Sequence, residues 1–412
     1  MKTRLILIIT LLLVLALALA GGFTLLWRFF IFLAAVLLPS YLWPRLSLRG
    51  IEGRAEKTSE VCQVSEGFEE EFTLVNRRKL PTPLVEVRED TDLPGYENAA
   101  AFNLAGQASH RWRTGITCRR RGRYSLGALT VRVSDPLGFF PVTRQLGARQ
   151  DIIVYPATLD LPFFQALPRQ EMGANRRRWL ASQAGPGAAR VREYASGDSL
   201  RHIHWHSTAH TGELMVKEFD PDRSNYAFKD IWIVLDMHRD SQLGEGDDAT
   251  GEYSITVAAS LAKKYLDSGK QVGLIAAGDR PYLFPPDTGE AHLEALLRAL
   301  ALMQATGNKP IEALLASEVD RFDAGSAVIV VLPSRGQGIT VPLRRAINRG
   351  TVVTAILLDS RSFGGETGTA TAARSLVAGG INVYIVHRGA RIADALDSRR
   401  LPVHMHFRGD KT

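Results

Sequence analysis

The chain has 412 residues, 45% of them hydrophobic and 23% charged, with a formal net charge of +7 and a pI near 9.5. That length holds two or three ordinary domains, and the hydrophobic share excludes a disordered chain. Two cysteines, Cys62 and Cys118, exclude a secreted disulfide scaffold; they read as reduced core thiols, with one bridge between them as the alternative. The basic excess is scattered arginine, with no helix-turn-helix or aromatic-studded basic face, which points to an anionic membrane surface and not to nucleic acid.

Residues 1–44 read as a membrane anchor of two transmembrane helices. Leu5–Ala20 is almost entirely Leu, Ile, Ala and Val, Gly21-Gly22 interrupts, and Phe23–Leu42 is apolar again apart from Arg28. As helix, Leu5–Leu42 spans about 57 Å at ~1.5 Å per residue, close to two passes through a ~30 Å hydrocarbon core. A helical hairpin in membrane lipid, turning at Gly21-Gly22, fits that length. Lys2 and Arg4 precede it, and Arg45, Arg49, Arg54 and Lys57 follow. Positive flanks on both sides place both ends, and the soluble domains, in the cytoplasm under the inner or plasma membrane. Arg28 then snorkels near the turn. The rival reading is a signal peptide cleaved after Ala18-Leu19-Ala20, which would put the soluble part on the opposite side.

Residues 45–160 read as an antiparallel β-sandwich. Val61–Val64, Glu70–Val75, Leu84–Val87, Ser109–Thr114, Tyr124–Val133 and Ile152–Tyr155 are short strand-like runs separated by Gly, Pro, Asn and Asp. Ser134–Gly138 is a turn by its chemistry, with Phe139-Phe140 plugging the core beneath it. Arg119–Arg123 reads as a solvated turn, or else as a contact to lipid phosphates.

Between residues 161 and 190 periodicity is lost. Asn175–Trp179 (NRRRW) and Ala184–Gly187 read as an exposed linker. No Gly-Lys-Ser/Thr accompanies the glycines, so a phosphate loop is not indicated.

Residues 191–229 form a junction around which the chain is organised. VREYASGDSLRHIHWHSTAHTGELMVKEFD gathers Arg192, Glu193, Asp198, Arg201, His204, Trp205, Lys217 and Glu218 in one short stretch. Alternation gives strand character to Ile203–Ser207, which would set His202, His204 and His206 on one face. Three imidazoles so spaced suit a metal ion, but no carboxylate or cysteine completes the set. Otherwise the charges pair with one another and Trp205 fills a core edge.

The run R-E-Y-x-x-G-D-x-x-R-x-I-H-W-x-S at Arg192–Ser207, followed by Val216–Phe219, closely resembles the signature of the domain of unknown function 58 (DUF 58) family. RGRYSLGALTVRVSDPLGFF at Arg121–Phe140 and IIVYP at Ile152–Pro156 agree with it. The resemblance runs from roughly Arg45 to the C-terminus. It marks Arg192, Glu193, Tyr194, Gly197, Asp198, Arg201, His204, Trp205, Lys217 and Glu218 as signature or interaction residues. Of the histidines only His204 matches.

Residues 230–412 read as a doubly wound α/β domain. Ile231–Leu235 is a continuous apolar run, as in a strand buried on both faces. Tyr253–Leu266 is an amphipathic helix ended by Gly269. Strands at Val272–Ala276, Ala327–Leu332, Val352–Leu358 and Asn382–Val386 alternate with helices at Ala291–Met303, Ile311–Val319, Val341–Asn348, Thr371–Ala378 and Ile392–Leu396, predicting a parallel sheet covered on both faces. His404–Phe407 reads as a terminal strand.

Ligands of such sheets bind beyond the carboxyl ends of the strands, here Asp236–Ser241, Ala277–Arg280, Pro333–Gly338 and Asp359–Ser362. This arrangement resembles a von Willebrand factor A domain, whose metal-binding members hold Mg²⁺ on an Asp-x-Ser-x-Ser loop. Asp236 matches the Asp; His238 stands for the first Ser and Asp240 for the second, with Ser241 next. Ser334-Arg335 replaces a Ser-Asp. The resemblance therefore implies a degenerate Mg²⁺ site at Asp236, Asp240 and Ser241.

No nucleophile motif such as Gly-x-Ser-x-Gly occurs. A catalytic reading rests on Asp198 with His204 as an acid–base pair, Ser196, Ser199 and Ser207 being the nearby hydroxyls, and would make the chain an envelope hydrolase. The family resemblance implies a membrane-anchored adaptor or co-chaperone working with a MoxR-type AAA+ ATPase, the Arg192–Glu218 segment bracing its domains.

Overall fold

The structure is a computed structural model and describes residues 2–21, 24–57, 61–166, 190–195, 203–218, 228–333, 338–366 and 368–399. The chain divides into two compact units, Met1–Pro156 and Ala157–Thr412.

In the first unit, α1 (Lys2–Gly21) and α2 (Thr24–Leu48) pack against each other. Among the described residues, α2 is the helix long and apolar enough to cross a membrane. Its last turns serve another purpose. Leu37, Ser40, Pro44, Ser47 and Leu48 are buried, and Arg45 lies 3.6 Å over the Tyr41 ring. Tyr41 in turn meets Phe140 edge-on at 5.6 Å. The helix thus runs past residue 44 and ends inside the β core, where Leu48 is 4% exposed.

Ten strands follow: β1 (Ile51–Lys57), β2 (Val61–Gln63), β3 (Gly67–Asn76), β4 (Thr82–Asp90), β5 (Ala99–Leu104), β6 (Ser109–Thr117), β7 (Gly122–Leu126), β8 (Ala128–Val133), β9 (Val142–Leu146) and β10 (Gln150–Tyr155). They form antiparallel sheets β1-β3-β6 and β5-β4-β8-β9 and a third, β2-β10-β7. In the third, β2 runs parallel to β10, a departure from the all-antiparallel expectation. The expected single strand Tyr124–Val133 breaks at Gly127, whose φ of +90° suits glycine, so β7 and β8 enter different sheets. Phe72 and Leu74 of the first sheet share one core with Val85, Val87, Leu129, Val131 and Val133 of the second. Phe140 is buried, as expected, while Arg121 of the basic run also turns inward. Cys62 and Cys118 are free thiols in a satellite core with Ile116, Leu126 and Val154, and burial pushes the Cys118 thiol up.

The second unit contains a hairpin, β11 (Arg190–Glu193) and β12 (Met215–Glu218), enclosing the short helix α3 (Trp205–Thr211). It also contains a six-stranded sheet of β13 (Asp230–Leu235), β14 (Gln271–Ala277), β15 (Pro281–Asp287), β16 (Ala327–Pro333), β17 (Val352–Leu358) and β18 (Asn382–Val386). The order is β15-β14-β13-β16-β17-β18. All neighbours are parallel except β14 and β15, so the sheet is mixed and not purely parallel. One face is covered by α4 (Thr250–Asp267) and α5 (Glu290–Leu302) through Ile255, Ala259, Leu296 and Leu300. The other is covered by α6 (Ile311–Glu318), α7 (Thr340–Asn348) and α8 (Thr369–Ala378) through Leu315, Leu343 and Leu376. The helix α9 (Ile392–Ala395) closes the described chain on the first of these faces.

The start of the expected linker is part of this core. Phe164 is 1% exposed and packs on Tyr265 and Tyr384. The Ala166 carbonyl accepts from Thr354 Oγ1 at 2.5 Å and Asn382 Nδ2 at 2.9 Å, and Tyr384 Oη–H donates to the Gln165 carbonyl at 2.7 Å. The NRRRW run and the HMHF tail lie outside the described residues.

Candidate functional site

The hairpin carries the signature. Arg192 pairs with Val216 and Val191 with Lys217, Arg190 standing opposite Glu218 and Glu193 opposite Met215. Tyr194 N–H donates to the Leu214 carbonyl and His204 N–H to the Met215 carbonyl, at 2.8 and 2.7 Å. Ile203 bridges to Val216, and both are buried. Gly197, Asp198, Arg201 and His202, like Ser196 and Ser199, lie outside the described residues.

Here the strand expectation for Ile203–Ser207 is corrected. Only Ile203 is in bridge pairing; from Trp205 the chain is helical. The reason is a local cap. His204 Nδ1 accepts from Ser207 N–H at 3.2 Å and sits 2.7 Å from Ser207 Oγ, satisfying an amide that the first helical turn leaves unpaired. Because Nδ1 accepts from an amide, the neutral ring carries its proton on Nε2. Gly212, at φ +76°, closes the other end of the helix with its N–H on the Thr208 carbonyl. His206 and His210 therefore stand on the helix and are exposed, so no strand face of imidazoles forms from them and His204. Trp205 is 67% exposed, which corrects the expectation that it fills a core edge.

The second place is the carboxyl edge of the sheet. Strand order reverses between β13 and β16, the position where open α/β sheets form a crevice. Asp236 follows β13 and is 3% exposed. Its Oδ1 accepts from His238 N–H at 3.0 Å, while Gln242 Nε2 donates to its carbonyl at 2.9 Å. Thr250 Oγ1–H then donates to Gln242 Oε1 at 2.9 Å. Burial pushes the Asp236 carboxyl up, against the pull of His238 N–H and the Ser241 hydroxyl; the charge of Glu312 adds to the rise. Ser241 Oγ–H donates to the His238 carbonyl at 2.8 Å. Asp240 faces outward, 3.7 Å from His238 Nε2 and 3.6 Å from Arg239 Nε.

As a magnesium loop this donor set does not fit. An imidazole replaces the first hydroxyl, Asp236 is engaged as a loop cap, and Asp240 faces His238 and the Arg239 guanidinium, whereas Mg²⁺ needs oxygen donors in octahedral array. Among the described residues no group of three or more His, Cys, Asp or Glu side chains could hold a metal ion. Ser334 and Arg335 lie outside them.

Sequence reasoning named the Asp359–Ser362 segment but missed two partners of Asp359, Thr369 and His387. Thr369 donates its hydroxyl to Asp359 Oδ1, His387 Nδ1 lies 3.0 Å from Oδ2, and Ser362 N–H donates to Oδ2 at 3.3 Å. Burial works to raise this carboxyl, yet the Thr369 and His387 bonds hold it below the usual carboxylate range. The signal available in sequence was position alone: His387 follows strand β18 as Asp359 follows β17. Asp279, after β14, is likewise engaged by Tyr282 Oη–H and Gln304 N–H, both at 3.0 Å. Asp236, Asp279 and Asp359 at this edge brace loops.

The family model described as "Protein of unknown function DUF58" matches residues 190–363. The chain is similar to the "Uncharacterized protein YeaD" of Bacillus subtilis, 27% identical over 323 residues covering 76% of this chain and 77% of that one. Among solved structures, the CARDB domain of a Pyrococcus furiosus protein in complex with di-metal ions aligns at 17% identity and TM-score 0.20, over 25% of this chain and 91% of that domain. The C-terminal domain of wzt aligns at 8% identity and TM-score 0.22, over 26% of this chain and 75% of that one.

Proposed function

We propose that this protein is a membrane-anchored adaptor that works with a MoxR-type AAA+ ATPase, the ATPase supplying the energy. The observation that carries the reading is the hairpin. Its polar signature side chain His204 is engaged in a helix cap, while the neighbouring Trp205 is presented to solvent at 67% exposure. Exposed tryptophan beside polar groups is what protein interfaces use as an anchor. In this reading the first unit is a β-sandwich held on a two-helix hairpin with the soluble part cytoplasmic. The six-stranded sheet is a von Willebrand factor A-like domain. The helices on both faces of the sheet and its Asp236–Ser241 loop support that likeness, with the loop serving as protein-binding framework and not as a metal site.

The test is affinity capture of the detergent-solubilised full-length protein, with and without ATP, followed by mass spectrometry. A nucleotide-sensitive AAA+ partner lost in Trp205→Ala is the expected result. Capture from native membranes that never yields an AAA+ ATPase would remove the reading.

A second reading, an envelope hydrolase using His204 with Asp198, draws on one contact. Ser207 Oγ lies 2.7 Å from His204 Nδ1, within reach for a base and a nucleophile. That same nitrogen also receives the Ser207 amide, which favours the cap.

A further inference from the structure

Glu70 on β3 and Glu89 on β4 belong to the two sheets that share the core of the first unit, and they are only 1% and 4% exposed. Glu89 accepts on both oxygens: Tyr96 Oη–H donates to Oε2 at 3.0 Å and Gly127 N–H to Oε1 at 2.7 Å. Such bonds suit a carboxylate. Glu70 hydrogen-bonds the Glu89 side chain, and its Oε2 has no hydrogen-bond partner among the described residues. Two carboxyls in contact and out of water cannot both ionise, and a bond between them requires one proton. With Glu89 already the acceptor of two donors, that proton belongs to Glu70.

The other titratable groups facing the pair are Lys57 and Tyr96. Lys57, opposite Glu70 on β1, directs Nζ to the Asp151 carbonyl at 2.7 Å and so only partly offsets the negative charge. A cavity of about 270 Å³ lies against Glu89, lined also by Arg88, Asp92, Tyr96 and Glu97. It has room for several waters, and so for proton exchange with solvent.

We propose that Glu70 and Glu89 form a single proton-binding clamp between the two sheets, which makes the tightness of the β unit depend on pH. Burial, and then the charge of Glu89, push the Glu70 carboxyl from its ordinary value up to about 8. A raised acid holds its proton in the folded state after the opened state has lost it. The stabilisation is therefore complete below the ordinary glutamate range, falls as pH rises, and is gone above about 8.

The test is hydrogen exchange with mass spectrometry on the full-length protein in detergent, corrected for the intrinsic pH dependence of exchange. For peptides covering β3 and β4 in the wild type, protection falls by close to tenfold per pH unit between about pH 5 and 7.5, the slope of one linked proton. In Glu70→Gln, which keeps a donor toward Glu89, that slope disappears. Infrared spectra of the wild type over the same titration show a protonated-carboxyl stretch persisting at pH 7, where ordinary carboxyls are ionised. Equal slopes in wild type and Glu70→Gln, or no such band at pH 7, would overturn the clamp.

Discussion

The ring of His204 separates a positioning role from a catalytic one. As a helix cap it needs only an acceptor at Nδ1, which asparagine also supplies. His204→Ala should cost about 1 kcal/mol and loosen α3, while His204→Asn should retain most of that stability. Chemical denaturation and limited proteolysis of the hairpin measure both. A base in catalysis would be lost equally in the two variants, so an activity or capture assay that survives in His204→Asn identifies the cap. The sequence picked out His204 and Trp205 but misjudged the local period. Over five residues, alternation and the first turn of a capped helix give the same apolar pattern, and the decision falls to one side-chain-to-amide bond.

At the scale of elements, Leu161–Ala166 shows how a segment without periodicity can still be structural. Its apolar residues do not repeat, yet Phe164 fills a gap between Tyr265 and Tyr384, and Ala166 is tied to β17 and β18. Phe164→Ala should destabilise the second unit by roughly 3–5 kcal/mol, read as a lower Tm. Strand β15 escaped sequence reading for a related reason. Its PYLFPPD sequence carries three prolines, and only an edge strand, hydrogen-bonded on one side, tolerates them. The buried strands β13, β16 and β17 were legible because continuous apolar runs flanked by amphipathic helices have few other readings.

For the whole molecule, the apolar helix α2 and the β unit share a core. Ser47 and Leu48 at the end of α2 are buried, and Leu48 lies in the same core as Ile51, Phe72 and Leu129. The buried residues of α2 begin at Leu37, so a chain lacking residues 1–36 should keep the β unit's stability, whereas one lacking residues 1–48 should lose about 2–5 kcal/mol. Thermal melts of the two shortened proteins, otherwise complete, decide this. Equal melting would mean that Leu48 is dispensable to the core.

The amino-acid sequence by itself determined the apolar N-terminal helices, the strand-rich region that follows, the alternating α/β region and the signature that the family model also matches. Those features are written in composition and local period, which act over a few residues. Only the tertiary structure decided that Glu70 meets Glu89, that Thr369 and His387 converge on Asp359, and that Phe164 is core. These contacts join residues that belong to different elements or to the loops between them, and nothing in the local pattern of either partner encodes the other. They exist because folding removes both partners from water and leaves each the other's best neighbour.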